Sequence, residues 1–204
     1  GKNSLIILAD ADLELAVNCA VLGAYKTTHQ RCVSSDLIIV EEAIEPKFTE
    51  RFIEITKRIK FGDPFNSKSF TGPLINQEAI YKHYSNILQI SKEAGRPLFA
   101  DEVGSSNGNF VGQSVFKMKH RPDTFALREE FFTPIVVIVP VKDFEEALYV
   151  ANDHEYGLSM ALMTNDYIKM REFKVRGKAG LKYVNLPTIG AEVHLPFGGM
   201  RRSG

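Results

Sequence analysis

Cysteine is scarce, with only Cys19 and Cys32 among 204 residues. Two thiols are too few for a disulfide scaffold, and a chain of this length can bury a core without one, which points to a reducing, cytoplasmic setting. An excess of charge is also missing, because 25 Lys and Arg stand against 25 Asp and Glu. No net field draws the chain to nucleic acid, to an anionic membrane or to an acidic partner. No apolar run approaches the roughly 20 residues of a membrane-spanning helix. The hydrophobic share of 44% is that of an ordinary globular protein. Repeats, low-complexity tracts and a dividing linker are absent as well, so residues 1–204 read as a single domain. Gly1-Lys2-Asn3 carries no basic-then-apolar leader. It reads as a boundary inside a longer chain and shows no targeting signal.

What is present is an alternation of strands and helices. Ser4 to Leu8 reads as a buried strand, and Asp10 and Asp12 as N-caps for a helix to about Tyr25, with Leu13, Val17, Ala20, Val21 and Ala24 on one face. Leu37 to Val40 is a strand, followed by a helix opening at Pro46 with Phe48, Phe52, Ile55 and Ile59 at helical spacing. Gly62-Asp63-Pro64 and Gly72-Pro73 bracket a turn-rich connection to a helix marked by Ile80, Tyr84, Ile87 and Leu88 and ending near Gly95.

The second half repeats the pattern. Ile135 to Val141 is a β-branched run broken by Pro140, Phe144 to Ala151 a helix, Leu158 to Met163 a strand, Tyr167 to Val175 a helix and Leu181 to Val184 a strand. This order predicts an α/β fold with a mostly parallel, twisted sheet covered by helices. Gly104 to Asn109 reads as a surface turn. Leu186 to Gly204, rich in Gly and Pro among apolar residues, reads as a long loop that must nonetheless pack.

Cys32 follows Thr27-Thr28-His29-Gln30-Arg31 in a loop between a helix and a strand. A thiolate there is favoured by Arg31 and by loop amides, while the alternative is a small core residue. Cys19, inside a helix beside Ala20 and Val21, fits the core alternative better. Glu129-Glu130 at the entry to the β-branched run is suited to the hydroxyls of a ribose, or is a solvated turn. His29 and Cys32 lack the further ligands of a zinc site, so no metal is expected. Gly198-Gly199 with Gly204 lacks the strand-to-helix context of a phosphate loop, and Arg201-Arg202 reads as a solvated basic end.

Taken in order, several segments of the chain resemble the aldehyde dehydrogenase superfamily. They are Gly1-Lys2-Asn3 through Leu13, Gln30-Arg31-Cys32, Gly62-Asp63-Pro64, Gly72-Pro73-Leu74-Ile75, Glu129-Glu130-Phe131-Phe132-Thr133-Pro134, Ala151-Asn152-Asp153 with Tyr156 to Ser159, Val184-Asn185, and Pro196-Phe197-Gly198-Gly199-Met200-Arg201-Arg202-Ser203-Gly204. The resemblance implies the family's catalytic-domain fold and the NAD- or NADP-dependent oxidation of a small aldehyde by a homo-oligomeric full-length enzyme. In that reading Cys32 is the nucleophile, passing through a thiohemiacetal and a thioester, and its backbone amide is an oxyanion donor. Glu130 and Phe132 bind the nicotinamide ribose. Phe197 is the aromatic at the floor of the substrate tunnel, and Leu186 to His194, with Thr188 and Ile189, is the loop that shapes it. Arg31 belongs to the same substrate pocket.

The resemblance also implies parts outside these residues: a general-base glutamate three positions before Gly1, an asparagine oxyanion donor, the coenzyme-binding domain and the oligomerisation arm. Residues 1–204 alone are then expected to be inactive. Two positions depart from the family pattern, His29 and Thr133, where glycine is usual. His29 is expected to crowd or polarise the loop and tune the thiolate. Two other classes of function stay open at this point, a stand-alone cysteine hydrolase using Cys32 and a non-catalytic scaffold.

Overall fold

A computed structural model of the chain describes residues 1–101, 103 and 108–204. The elements run β1 (Asn3–Ile7), α1 (Leu13–Tyr25), β2 (Ser35–Glu41), α2 (Glu45–Arg58), α3 (Gln77–Ala94), β3 (Phe99–Ala100), β4 (Ser114–Lys117), α4 (Phe125–Arg128), β5 (Ile135–Val141), α5 (Phe144–Asn152), β6 (Ser159–Met163), α6 (Tyr167–Arg176) and β7 (Leu181–Val184). Short 3-10 turns occupy Lys26–His29 and Arg201–Ser203.

One seven-stranded sheet, in the order β3-β4-β5-β2-β1-β6-β7, runs through the chain. Every pairing is parallel except the short β3–β4 contact at its edge. The central strands are buried on both faces, which is why they read as continuous apolar runs rather than alternating ones. Leu5, Ile7, Ile38 and Val40 pack under α1 and α2. Ile6, Leu8, Leu37 and Ile39 pack on the opposite face, against α3, α4, α5 and α6.

The helix starts follow local chemistry. Asp12, Asn76, Asp143 and Asp166 each turn a side-chain oxygen back onto the first turn of the helix they precede. At the far end of α3, Gly95 takes φ 79°, a conformation that ends the helix at little cost only for glycine.

Three expectations are corrected. Pro140 does not break β5, which runs on to Val141 and pairs Pro140 with Val40 of β2. The Ile138 carbonyl accepts from Met118, so even-numbered positions of β5 turn their ladder groups toward β4. Beyond Lys117 that strand has ended, and the missing N–H of proline costs no ladder bond. The long loop from Leu186 does not pack along its length, because residues 190–198 are exposed. Arg201 and Arg202 are not a free basic end: Arg201 donates to the carbonyls of Asn152 and His154, and Arg202 pairs with Glu155. Of the turn expected at Gly104 to Asn109, residues 104–107 lie outside the described residues.

Candidate active site

Two of the residues singled out for chemistry, Cys32 and Glu130, lie with Lys2 at one end of the central strands. Cys32 lies just before β2, Glu130 before β5, and Lys2 before β1. These strands are parallel neighbours, so all three positions sit at their amino ends. Open α/β sheets usually carry ligands at the carboxyl ends of their strands, and this cluster is at the opposite edge.

Cys32 is exposed and Cys19 is buried. Burial pushes the Cys19 thiol up to about 11, leaving it protonated and inert near neutral pH. The loop that presents Cys32 is held from three sides. Asn3, itself buried, donates from Nδ2 to the carbonyls of Cys32 and Ser34, both at 2.8 Å, and accepts the Ser159 amide at 3.1 Å. Gln30 donates to the Pro73 carbonyl at 3.2 Å and accepts the Ile75 amide at 2.8 Å. Thr28 Oγ1 lies 2.8 Å from Thr71 Oγ1 and donates to the Gly72 carbonyl at 2.7 Å. The turn-rich connection between α2 and α3 thus forms a wall of the Cys32 loop, a role that spacing alone did not reveal. Among the described residues, nothing accepts a hydrogen bond from the Cys32 amide.

Thr27, Thr28 and His29 all have positive φ, at 54°, 56° and 64°. A run of non-glycine residues in this region is costly and persists only where surrounding contacts hold it. The His29 ring is buried, with Nδ1 2.6 Å from the Ala24 carbonyl oxygen. Burial holds its pKa below that of a free histidine, so the ring is neutral near pH 7 and is committed to the end of α1. Arg31 is exposed, and its Nε donates back across the loop to Thr27 Oγ1 at 2.9 Å.

Glu130 is 31% exposed at its side chain, and Oε1 lies against the backbone nitrogen of Gly1. A β-carbon placed on Gly1 would lie 3.6 Å from the Cys32 carbonyl oxygen, so Gly1 stands between the two functional segments. Phe132, 36% exposed with φ 57°, follows Glu130 as an apolar surface beside a carboxylate. Glu130 Oε2 has no partner among the described residues. A carboxylate acceptor and an exposed aromatic ring two residues apart suit a sugar hydroxyl and the face of a ring. Thr133 is buried and its Oγ1 finds no partner among the described residues.

A separate groove of about 680 Å³ runs along β7 under the loop from Leu186. Ile189 and Phe197 line it, whereas Cys32 and Arg31 do not. Thr188 is also absent from its lining and is fully buried, close to Gly23 of α1. That places it near the start of β2, with its hydroxyl unpartnered among the described residues. Among the described residues, no three His, Cys, Asp or Glu side chains come together as a metal site, and no helix is long and apolar enough to cross a membrane.

Comparison with known proteins gives a family match, Aldehyde dehydrogenase family, over residues 1–204. The chain belongs to the aldehyde dehydrogenase family. It is 34% identical over 204 residues to the succinate semialdehyde dehydrogenase [NAD(P)+] Sad of Escherichia coli, covering 100% of this chain and 44% of that relative. It is also 34% identical over 205 residues to a 1-pyrroline-5-carboxylate dehydrogenase of Geobacillus, covering 100% of this chain and 39% of the relative. The chain therefore spans about two fifths of the length of these curated relatives.

Among solved structures, the 1-pyrroline-5-carboxylate dehydrogenase from Thermus with bound NAD superposes with a TM-score of 0.92 at 30% identity, over 98% of this chain and 39% of that one. The glyceraldehyde-3-phosphate dehydrogenase GapN of Methanocaldococcus jannaschii complexed with NADP gives 0.92 at 30% identity, over 100% and 43%. The mostly parallel sheet with its helices is the catalytic-domain fold of this family.

Proposed function

We propose that the full-length protein oxidises a small aldehyde to a carboxylic acid with NAD+ or NADP+, and that Cys32 is the nucleophile. The observation that carries this reading is the contrast between the two thiols. Cys32 is exposed on a loop whose backbone is fixed by Asn3, Gln30 and Thr28, while Cys19 is buried. A nucleophile must reach its substrate and must be held still while it does so.

In the proposed reaction Cys32 Sγ adds to the carbonyl carbon, and the electron pair of the C=O bond moves to oxygen. The Cys32 amide, without an acceptor among the described residues, is free to donate to that oxyanion. Loss of hydride from the same carbon leaves a thioester on Cys32. Water then adds, the C–S bond breaks and the thiol is restored. A bound nicotinamide coenzyme supplies the hydride acceptor. Glu130 would accept hydrogen bonds from its ribose hydroxyls, with Phe132 against the ring. Ile189 and Phe197 contribute apolar surface on the substrate side.

Residues 1–204 alone are proposed to be inactive, and the full-length enzyme to be a homo-oligomer. The edge position of β7 in the sheet and the exposed Val193 and Leu195 support that assembly. A hydrolase activated by His29 is not favoured, because the ring is buried against the Ala24 carbonyl.

The test is a panel of aliphatic, aromatic and carboxylate-bearing aldehydes, given to the full-length protein with NAD+ or NADP+ while coenzyme reduction is followed. Activity that disappears in Cys32→Ala, with an acyl adduct on Cys32 found by mass spectrometry in the parent, is the expected result. Full turnover by Cys32→Ala would remove the nucleophile assignment, and no reduction with any aldehyde would remove the reaction.

A further inference from the structure

Behind Glu130 lies a buried pair of opposite charges. Lys2 Nζ is 3.2 Å from Asp36 Oδ2, with the two side chains 0% and 1% exposed. Isolating such groups from water costs several kcal/mol per ion, and a hydrophobic pair of similar volume is often as stable. The pair is therefore poorly explained by stability alone. Its remaining contacts show what else it holds.

Lys2 Nζ donates to the carbonyl oxygen of Glu129 at 2.9 Å, on the residue just before Glu130. The Phe131 amide, on the residue just after, lies 3.5 Å from Asp36 Oδ2. The Lys2 ammonium also sits 3.5 Å from the centroid of the fully buried Phe131 ring. The backbone on both flanks of Glu130 is thus gripped by one ion pair. Lys2 comes from the chain entering β1, and Asp36 belongs to β2, close behind Cys32.

We infer that Lys2 and Asp36 are positioning residues for Glu130, clamping its backbone so that the carboxylate is presented in a fixed relation to the Cys32 loop. This rests on the assignment of Glu130 to the coenzyme given above. Between α4 and β5 the chain has no sheet ladder to hold it, and Phe132 takes a left-handed conformation that must be held from outside. The clamp supplies that constraint from the side away from solvent. It also ties β1 and β2, the two strands that carry the nucleophile loop and its Asn3 anchor, to the segment that carries Glu130.

The experiment compares Lys2→Met, Asp36→Asn, Glu130→Gln and the double variant Lys2→Met/Asp36→Leu in the full-length protein. Coenzyme KM, kcat and the rate of Cys32 alkylation are measured for each. Asp36→Asn and Lys2→Met are expected to raise coenzyme KM about tenfold, the effect of one lost hydrogen bond to a charged group, with little change in Cys32 alkylation. In the Glu130→Gln background, Asp36→Asn should add almost nothing, which a merely structural role would not produce.

If a single variant fails to fold, the double variant carries the same test, because it removes the clamp without leaving a buried charge unpaired. An unchanged coenzyme KM in the clamp variants, alongside a raised KM in Glu130→Gln, overturns the clamp and leaves the Glu130 assignment standing. An unchanged KM in Glu130→Gln overturns that assignment, and the clamp with it.

Discussion

Asn3 Nδ2 donates to the carbonyl oxygen of Cys32 at 2.8 Å, which ties the first residue of β1 to the Cys32 loop. The same nitrogen serves Ser34, and the Oδ1 of Asn3 takes the amide of Ser159 at the start of β6. Replacing Asn3 by Ala leaves two carbonyls and one N–H without partners in a buried site, at a cost of about 2–4 kcal/mol. Urea unfolding checks this. A loss below about 0.5 kcal/mol, the size of an ordinary surface substitution, would show that the anchor is dispensable.

The two thiols should differ sharply in the native state. Cys19 is 4% exposed and has its pKa pushed up to about 11, so at pH 8 only about one molecule in a thousand carries its thiolate. With limiting iodoacetamide followed by peptide mass analysis, Cys32 is expected to react on the order of a hundredfold faster, and the difference should vanish in denaturant. Equal native rates would mean that the loop does not present Cys32 as described.

Stability should fall as the solution is acidified from pH 7 toward pH 4. Burial holds His83 and His154 at about 4, against an ordinary value of 6.5. Between those values the unfolded chain binds the extra protons, so stability is fully present above pH 6.5 and declines progressively down to pH 4. Each residue contributes up to about 3 kcal/mol over that window. Denaturation midpoints measured across the window, with His83→Gln and His154→Gln as controls, should show a smaller slope in each variant. Parallel slopes would contradict the assignment.

His29→Gly tests what a side chain does at a position where the family pattern has glycine. Glycine relieves a left-handed φ worth about 1–2 kcal/mol, but it empties a buried site and removes the hydrogen bond at Ala24. The expected balance is destabilisation of roughly 1–3 kcal/mol. The pH profile of Cys32 alkylation is expected to coincide with that of the parent, because the ring is turned into the core. Divergent profiles would restore a direct influence of His29 on the thiol.

The tail should be sensitive to Gly180→Ala. A β-carbon there would stand 2.0 Å from the Gly198 carbonyl oxygen, so the backbone beside Phe197 must move away. The Gly157 carbonyl accepts from both Gly180 and Met200 at 3.0 Å, and that junction would open. Faster tryptic cleavage at Arg201 and Arg202 is the expected readout. Unchanged cleavage would show that the tail is held elsewhere.

Much of this protein was legible in its sequence because the signals are local. An Asp cap followed by apolar residues at helical spacing announces α1, the same spacing announces α2 and α3, and continuous apolar runs announce β1, β2 and β5. The helical setting of Cys19 and the loop setting of Cys32 likewise announce which thiol is buried and which is exposed. β3, β4 and α4 were not legible, since two to four residues are too few to establish a period.

The partnerships at the site were decided by the tertiary structure alone. Lys2 meets Asp36 and Asn3 meets Cys32 because parallel pairing lays β1 beside β2, with a register shift between Asn3 and Ser4 that leaves Asp36 without a strand partner, and so brings together the amino ends of strands that are remote in sequence. That pairing lets one buried ion pair grip the backbone around Glu130, while a separate tertiary contact sets the turn at Gly72 against Thr28 of the Cys32 loop. Residue type shows which groups can do chemistry, and the register of the sheet decides which of them meet.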